Sequence, residues 1–480
     1  MPAARRSFLS VFVLLGLLLP TRAGAATIGA EEARALIESR VAPARQEVAA
    51  LRAALGGGDL TAAVRAGAIA ADREDAIRAP VVAAPATLDE AVASIASAVE
   101  RATALVEEGP AAGLPDWAAA VAQDIAVTGA TDVRAARGLQ PVDSGPALNA
   151  AALIAAAVDG AMPTLQTAGT TMLASSAAVE CDVLDLTNIC VGGTGDNTYV
   201  RDRQMIIDLG GNDTYTNDLA FASLSAELVL DLTGNDRYTP QLGYGYGYGS
   251  LGGVGILFDV TGNDLYKSES TKAETVGMGL GLLGGTGFMV DAAGDDVYTL
   301  SSEVTGGNGG AGGMGEAVLG GVGVMVDGAG NDAYTGRGIA HPVIGTAFGE
   351  EGEELGEATL PGRAAVSIGG IGVFGAAGVL ADGGGTDSFT AHSTMTAVPA
   401  DWPNPHFTYD PTTRAIQQFA VVNGFGDSAL AGAGYLLEGV GTTSYRLESD
   451  IESLPLHDPG LYMQSLAQGE SVAASIGVLS

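Results

Sequence analysis

The chain has 480 residues, a formal net charge of −34, 5% aromatic residues, 71 glycines and two cysteines. That length suits two or three domains and a large core, but Gly and Ala supply little bulk, so backbones must approach one another closely. Residues 181–480 carry 37 acids against 9 bases, a net −28 that argues against nucleic acid or an anionic membrane as partner and favours cations.

Residues 1–25 read as an export signal: Arg5 and Arg6, the apolar run Phe8 to Leu19, then the small-residue site Ala23-Gly24-Ala25. The run is about twelve residues, too short to span a bilayer. The expected location is therefore secreted or in the cell envelope, periplasm or cell surface, with no transmembrane segment in the mature chain. Two lysines against twenty arginines, with the Ala and Gly bias, hint at a GC-rich bacterial genome.

Residues 26–180 are predicted to be helical. Ile37, Val41, Val48, Leu51 and Leu55 fall at helical spacing and are stopped by Gly56-Gly57-Gly58. Thr87 and Glu90 form a capping box ahead of the stripe Leu88, Val92, Ile95, Val99 and Val106, and a third helix is expected over Ala147 to Val158. No residue set for catalysis appears there; a spacer and a partner-binding bundle are both open. Cys181 and Cys190 follow at the junction, and in an exported chain their short spacing predicts one disulfide.

Beyond the cysteines a template Φ-Φ-Φ-D-x-x-G-[ND]-D-x-Y recurs, as in Asp259-Val-Thr-Gly-Asn-Asp-Leu-Tyr266. Copies begin at 192, 208, 231, 259, 291, 327, 382 and 438. Recurrence of this kind marks stacked coils. The apolar triplet favours strand, and Gly with Asn or Asp allows the sharp bend that follows. Separations grow from 16 to 56 residues, which assigns the excess to loops or extra strands on one face. Glycine blocks such as Gly252-Gly-Val-Gly255 and Gly284-Gly-Thr-Gly287 imply a narrow corner. The predicted fold class is α+β multidomain: an N-terminal α-helical region, then a Gly-rich parallel β-solenoid (β-helix or β-roll) over 181–446, and a cap or tail over 447–480.

Each turn sets Asp at its first and sixth positions with Asn or Asp at the fifth. The candidate metal ligands are Asp208, Asn212, Asp213, Asp231, Asn235, Asp236, Asp259, Asn263, Asp264, Asp291, Asp295, Asp296, Asp327, Asn331, Asp332, Asp382 and Asp387. Hard oxygen ligands this close, beside carbonyls freed by a glycine bend, suit Ca²⁺. Coils of a β-stack lie about 4.8 Å apart, so aligned carboxylates would repel by roughly 3 kcal/mol per pair at an effective dielectric of 20. Asp in a turn also accepts backbone N–H groups two residues on, with no metal.

Gly192-Gly-Thr-Gly-Asp-Asn-Thr-Tyr-Val200 resembles the nonapeptide of repeats-in-toxin (RTX, haemolysin-type) calcium-binding proteins, and the later copies resemble it with Asp in place of the first Gly. The resemblance covers roughly residues 190–445. It implies a parallel β-roll with Ca²⁺ between coils, held by Asp213, Asp236, Asp264, Asp296, Asp332 and Asp387. It also implies inward packing of Tyr199, Tyr215, Tyr238, Tyr266, Tyr298, Tyr334, Phe389 and Tyr445. The last copy, with Glu438, Thr442 and Thr443, is expected to bind weakly or not at all.

Gly426-Asp-Ser-Ala-Leu430 looks like a GDSL hydrolase block, but too little chain follows to supply the other catalytic blocks. Three functional classes remain. An exported calcium-stabilised solenoid, structural, adhesive or part of a surface or matrix, would have calcium ions, surface glycans or other cell-surface proteins as partners. A β-helix polysaccharide lyase or hydrolase would need two carboxylates in unlike environments. An ice-binding solenoid would need a longer row than Thr233 and Thr261 provide.

Overall fold

The computed structural model describes residues 46–55, 59–78, 82–110, 141–172 and most of 180–452, with strands at Tyr462–Gln468, Ser471–Val472 and Ile476–Leu479 beyond. The expected export signal, Ile37, Val41, the stop Gly56-Gly57-Gly58 and Gly426-Asp427 lie outside the described residues.

The repeats build three large sheets whose strands are almost all parallel, in an arrangement compatible with a solenoid. Sheet 1 has ten strands and takes the apolar triplet of each copy: Met205–Asp208, Ala226–Asp231, Val254–Asp259, Thr286–Asp291, Val322–Asp327, Ala377–Asp382 and Ala433–Glu438 among them. Sheet 2 has eight strands and takes the segment after each turn, from Thr198–Tyr199 to Thr442–Glu452; sheet 3 has seven, including Tyr246–Ser250 and Met278–Leu282. Like residues pair with like across coils. Asp208 is opposite Asp231, then Asp259, Asp291, Asp327, Asp382 and Glu438. A slip of one residue would turn every side chain to the wrong face, so the repeat itself fixes the register.

The growing separations are absorbed away from the turn. The sheet 2 strand lengthens from Thr214–Tyr215 to the eleven residues of Thr386–Thr396, and a four-stranded and a three-stranded sheet are added in the later coils. Strands in the stretch 447–480, read from the sequence as a cap or tail, extend sheets 1 and 3 and the four-stranded sheet.

Sheet 1 is buried on both faces. Ile206, Val229, Leu257, Met289, Met325, Leu380 and Leu436 point inward to the aromatic column. Their neighbours, such as Ile207, Leu230, Phe258, Val290 and Val324, share a second core with the helices. This is why each copy opens with an unbroken apolar run rather than an alternating one. Burying these side chains contributes about 1.5–3 kcal/mol each.

Among the described residues, α1 (Leu60–Ala70), α2 (Leu88–Glu107) and α3 (Gly145–Thr171) cover that outer face, with the helical residues 46–55 adding Leu51 to the same core. Asp59 caps α1 by accepting the Ala62 N–H at 2.7 Å, and Thr87 caps α2 by accepting that of Glu90. Gly67 lets α1 lie on the sheet, since a Cβ there would come within 2.9–3.3 Å of Val324, Val322 and Phe288. The third helix runs past the expected Val158 because Asp159 is used elsewhere: its carboxylate accepts the Leu60 and Thr61 N–H groups at the start of α1. By length and composition α3 could cross a membrane, yet many of its side chains are buried among the other helices and sheet 1, as in a core helix.

The glycine blocks form the expected narrow corner. Leu251, Leu283 and Leu319 (φ +51° to +55°) each precede a glycine at φ +72° to +81°, turning sheet 3 back onto sheet 1. At Gly287 a Cβ would meet the carbonyl oxygens of Leu280 and Gly247. The first edge of the stack is closed by Leu184–Asp185, antiparallel to Ile189–Gly192 and stapled by Cys181–Cys190 with S–S 2.04 Å. Arg203 ties this cap down, donating to the Leu186 and Thr187 carbonyls and to Asp185.

Candidate metal centre

Inside the stack the aromatic residues of successive copies form one continuous pile. From Tyr199 through Tyr215, Tyr238, Tyr266, Tyr298, Tyr334 and Phe389 to Tyr445, neighbouring rings lie 4.2–5.3 Å apart, centroid to centroid. All but Tyr445 are fully buried. The column is thus core packing, as its place two residues past the turn Asp predicts.

The first-position aspartates end the sheet 1 strands and turn inward beside these rings. Four of their Oδ1 atoms accept turn N–H groups two residues on: Gly210 to Asp208 at 2.6 Å, Thr233 to Asp231 at 3.2 Å, Ala293 to Asp291 at 3.2 Å and Gly384 to Asp382 at 2.7 Å, whereas Oδ1 of Asp259 and Asp327 is buried without a partner. Their Oδ2 atoms accept phenol hydroxyls: Tyr199 to Asp208, Tyr215 to Asp231 at 2.5 Å, Tyr238 to Asp259 at 2.6 Å and Tyr334 to Asp382 at 3.0 Å. The metal-free use of a turn Asp therefore applies at Asp208, Asp231, Asp291 and Asp382, but not at Asp259 or Asp327.

The sixth-position aspartates form a different ladder. The Asn197 N–H donates to Asp213 Oδ1, and the N–H groups of Asp213, Asp236, Asp264, Asp296 and Asp332 donate to Oδ1 of Asp236, Asp264, Asp296, Asp332 and Asp387 at 2.5–3.0 Å. The second oxygen is left over. Oδ2 of Asp213, Asp236, Asp264, Asp296 and Asp332 is buried without a partner. An ionised oxygen in that state is costly, so it calls for a proton or a cation.

The two columns meet. Asp208, Asp213 and Asp231 bring one carboxylate oxygen each within 4.8 Å of one another, as do Asp231, Asp236 and Asp259; Asp264, Asp291 and Asp296; Asp296, Asp327 and Asp332; and Asp332, Asp382 and Asp387. Every orphaned Oδ2 belongs to a residue of such a group. Oxygens 4.8 Å apart or less can share a cation whose ligand distances are about 2.3–2.6 Å. Unneutralised, the three repulsions within one group total about 10 kcal/mol at an effective dielectric of 20. That rivals the whole stability of a typical domain, about 5–15 kcal/mol.

The electrostatics agree. Burial, with neighbouring carboxylates adding, pushes the Asp264 carboxyl up to about 9. Burial likewise raises Asp236 to about 8, Asp332 to about 7 and Asp213, Asp259 and Asp296 to about 6. Asp208, Asp231, Asp291 and Asp327 are driven well up for the same reason.

No protein-family model, curated protein or solved structure matches this chain.

The fifth-position residues lie apart from these groups. Oδ1 of Asp196, Asn212, Asn235, Asn263, Asp295 and Asn331 accepts the N–H of the matching residue one coil on, at 2.9–3.0 Å, on the exposed side of the turn. The two ladders run in opposite senses. The inner one donates forward along the stack and the outer one backward. The phenol partners of the first-position aspartates were not singled out from the sequence, although Tyr rather than Phe at seven of the eight places is the signal for them. Glu438 pairs in register with Asp382, and its Oε1 is buried without a partner, so the acidic column reaches the last turn.

Proposed function

We propose that the chain is an exported, calcium-binding β-solenoid with a structural, adhesive or surface role, in which the cations belong to the scaffold. The observation that carries this reading is the convergence of first- and sixth-position aspartates into buried groups of three, each containing an oxygen with nothing to bind. Calcium supplies the opposing charge that carboxylate groups otherwise obtain from protons. Its preference for several oxygen ligands at flexible geometry suits a donor set made wholly of carboxylates. The resemblance to RTX repeats supports the same ion, with first-position aspartates as additional ligands. The acidic balance of the repeat half supports cations as partners and leaves surface glycans or cell-surface proteins as further ones.

Use of these aspartates as the acid and base of a polysaccharide lyase is disfavoured by their burial, because a glycan must reach both groups. An ice-binding array is disfavoured too, since the coils after Thr233 and Thr261 place Ala293 and Ala329 there.

Titration of the full-length chain with calcium chloride tests the reading. Thermal unfolding should shift upward in millimolar calcium, and mass spectrometry under native conditions should find several ions per chain. An unchanged melt together with a metal-free mass would sink it.

A further inference from the structure

We infer that the cations of this stack are occluded: they are built in while the coils close and do not exchange with solvent while the chain stays folded. This rests on the calcium reading above and concerns the route by which an ion reaches its ligands. All twelve aspartates of the five groups are at most 5% exposed. On their inner side stands the aromatic pile, whose rings touch from coil to coil. On their outer side runs the fifth-position ladder, in which Asn235 accepts the Asn263 N–H and Asn263 that of Asp295, both at 2.9 Å. Along the stack, each group is roofed by the next coil, whose Asp carboxylate accepts an N–H from the coil below. At the first end the Tyr199 hydroxyl and the Asp208 carboxylate fill the space beside Gly192, where even a Cβ would not fit.

An ion can leave only if a turn opens and both ladders part locally. Openings of buried units are rare and slow compared with diffusion of a chelator. The asparagines at the fifth position are then lids rather than ligands.

The experiment uses the full chain refolded from denaturant in radioactive calcium chloride, desalted and placed in excess chelator. Bound metal should persist for hours, and adding denaturant should release it at once. Asn263→Ala, alone and with Asn235→Ala, should retain as much metal after refolding but lose it about tenfold faster, because the outer ladder is broken. Metal that is bound on refolding but stripped within minutes from the folded wild type would overturn occlusion and leave calcium binding standing. Release from the alanine variants at the wild-type rate, or a fall in the amount they bind, would overturn the role of the lids. Absence of metal after refolding would overturn binding and occlusion together.

Discussion

The hydroxyl of Tyr266 lies 3.1 Å from Asp259 Oδ2 and 2.8 Å from Asp291 Oδ2, so one phenol joins the first-position carboxylates of two successive coils. Tyr298, one ring further along the same pile, has a buried hydroxyl without a partner. The two rings are matched in burial and in stacking along the pile and differ in the two carboxylate contacts of Tyr266 and its edge contact with Tyr246, which makes them a useful pair.

Tyr266→Phe should destabilise the chain by about 1–3 kcal/mol, since it strips a donor from buried carboxylates. Tyr298→Phe removes a desolvated hydroxyl that bonds to nothing and should be neutral or slightly stabilising. Chemical denaturation of both variants reads the difference; equal losses would show that the phenols act through packing alone.

Asp264→Asn should change sign with calcium. The amide oxygen can still accept the Asp236 N–H, so the ladder survives, while one charge leaves the group of Asp264, Asp291 and Asp296. In chelator the variant should melt higher than wild type, because an amide needs neither the proton uptake nor the buried charge that folding imposes on the Asp264 carboxyl, which burial pushes up to about 9. In calcium it should melt lower and bind fewer ions. Melting curves under both conditions provide the check.

Without metal, stability should fall as pH rises. The folded pKa values of Asp213, Asp259 and Asp296 (about 6), Asp332 (about 7), Asp236 (about 8) and Asp264 (about 9) all lie above the unfolded value near 4. The folded state then holds more protons than the unfolded one, so the stabilising contribution is complete below about pH 4 and is lost progressively up to about pH 9. Each extra proton held contributes about 1.4 kcal/mol per pH unit. Calcium should flatten this decline, and unfolding scans across pH 5 to 9 with and without it would show whether it does.

Replacing both cysteines by serine should cost about 3 kcal/mol, the loop-closure term for a separation of 9 residues. The loss should be local to the first coil. Hydrogen exchange should speed up at Val183 and Leu186, whose N–H groups bond to Val191 and Ile189, and remain slow at Leu257 in mid-stack.

Much of this arrangement was legible in the repeat. A fixed template with Asp and Tyr at constant offset leaves one register that keeps every ring inside, and the parallel pairing of Tyr238, Tyr266 and Tyr298 follows from it. The facing of the turn residues was legible only in part. From the inward Tyr, counting back two places puts the sixth-position Asp on the same side and the fifth-position Asn on the other, which is where Asp264 and Asn263 stand. Spacing alone grouped both as ligands. Which way the first-position Asp turns depends on the bend that follows it, and no offset rule gives that for Asp259. The extent of α3 beyond Val158 was not legible, because the contacts that Asp159 makes there, with the start of α1, lie across the fold.

Helices α1 to α3 lie over the greasy outer strip of sheet 1, formed by residues such as Leu230, Phe258, Val290 and Val324. These described helices are therefore a cover for the sheet and not a spacer. A fragment beginning at residue 181 would bare that strip over several coils and stick to itself, whatever its ions do. Work on the repeats in isolation would report clumping in place of folding.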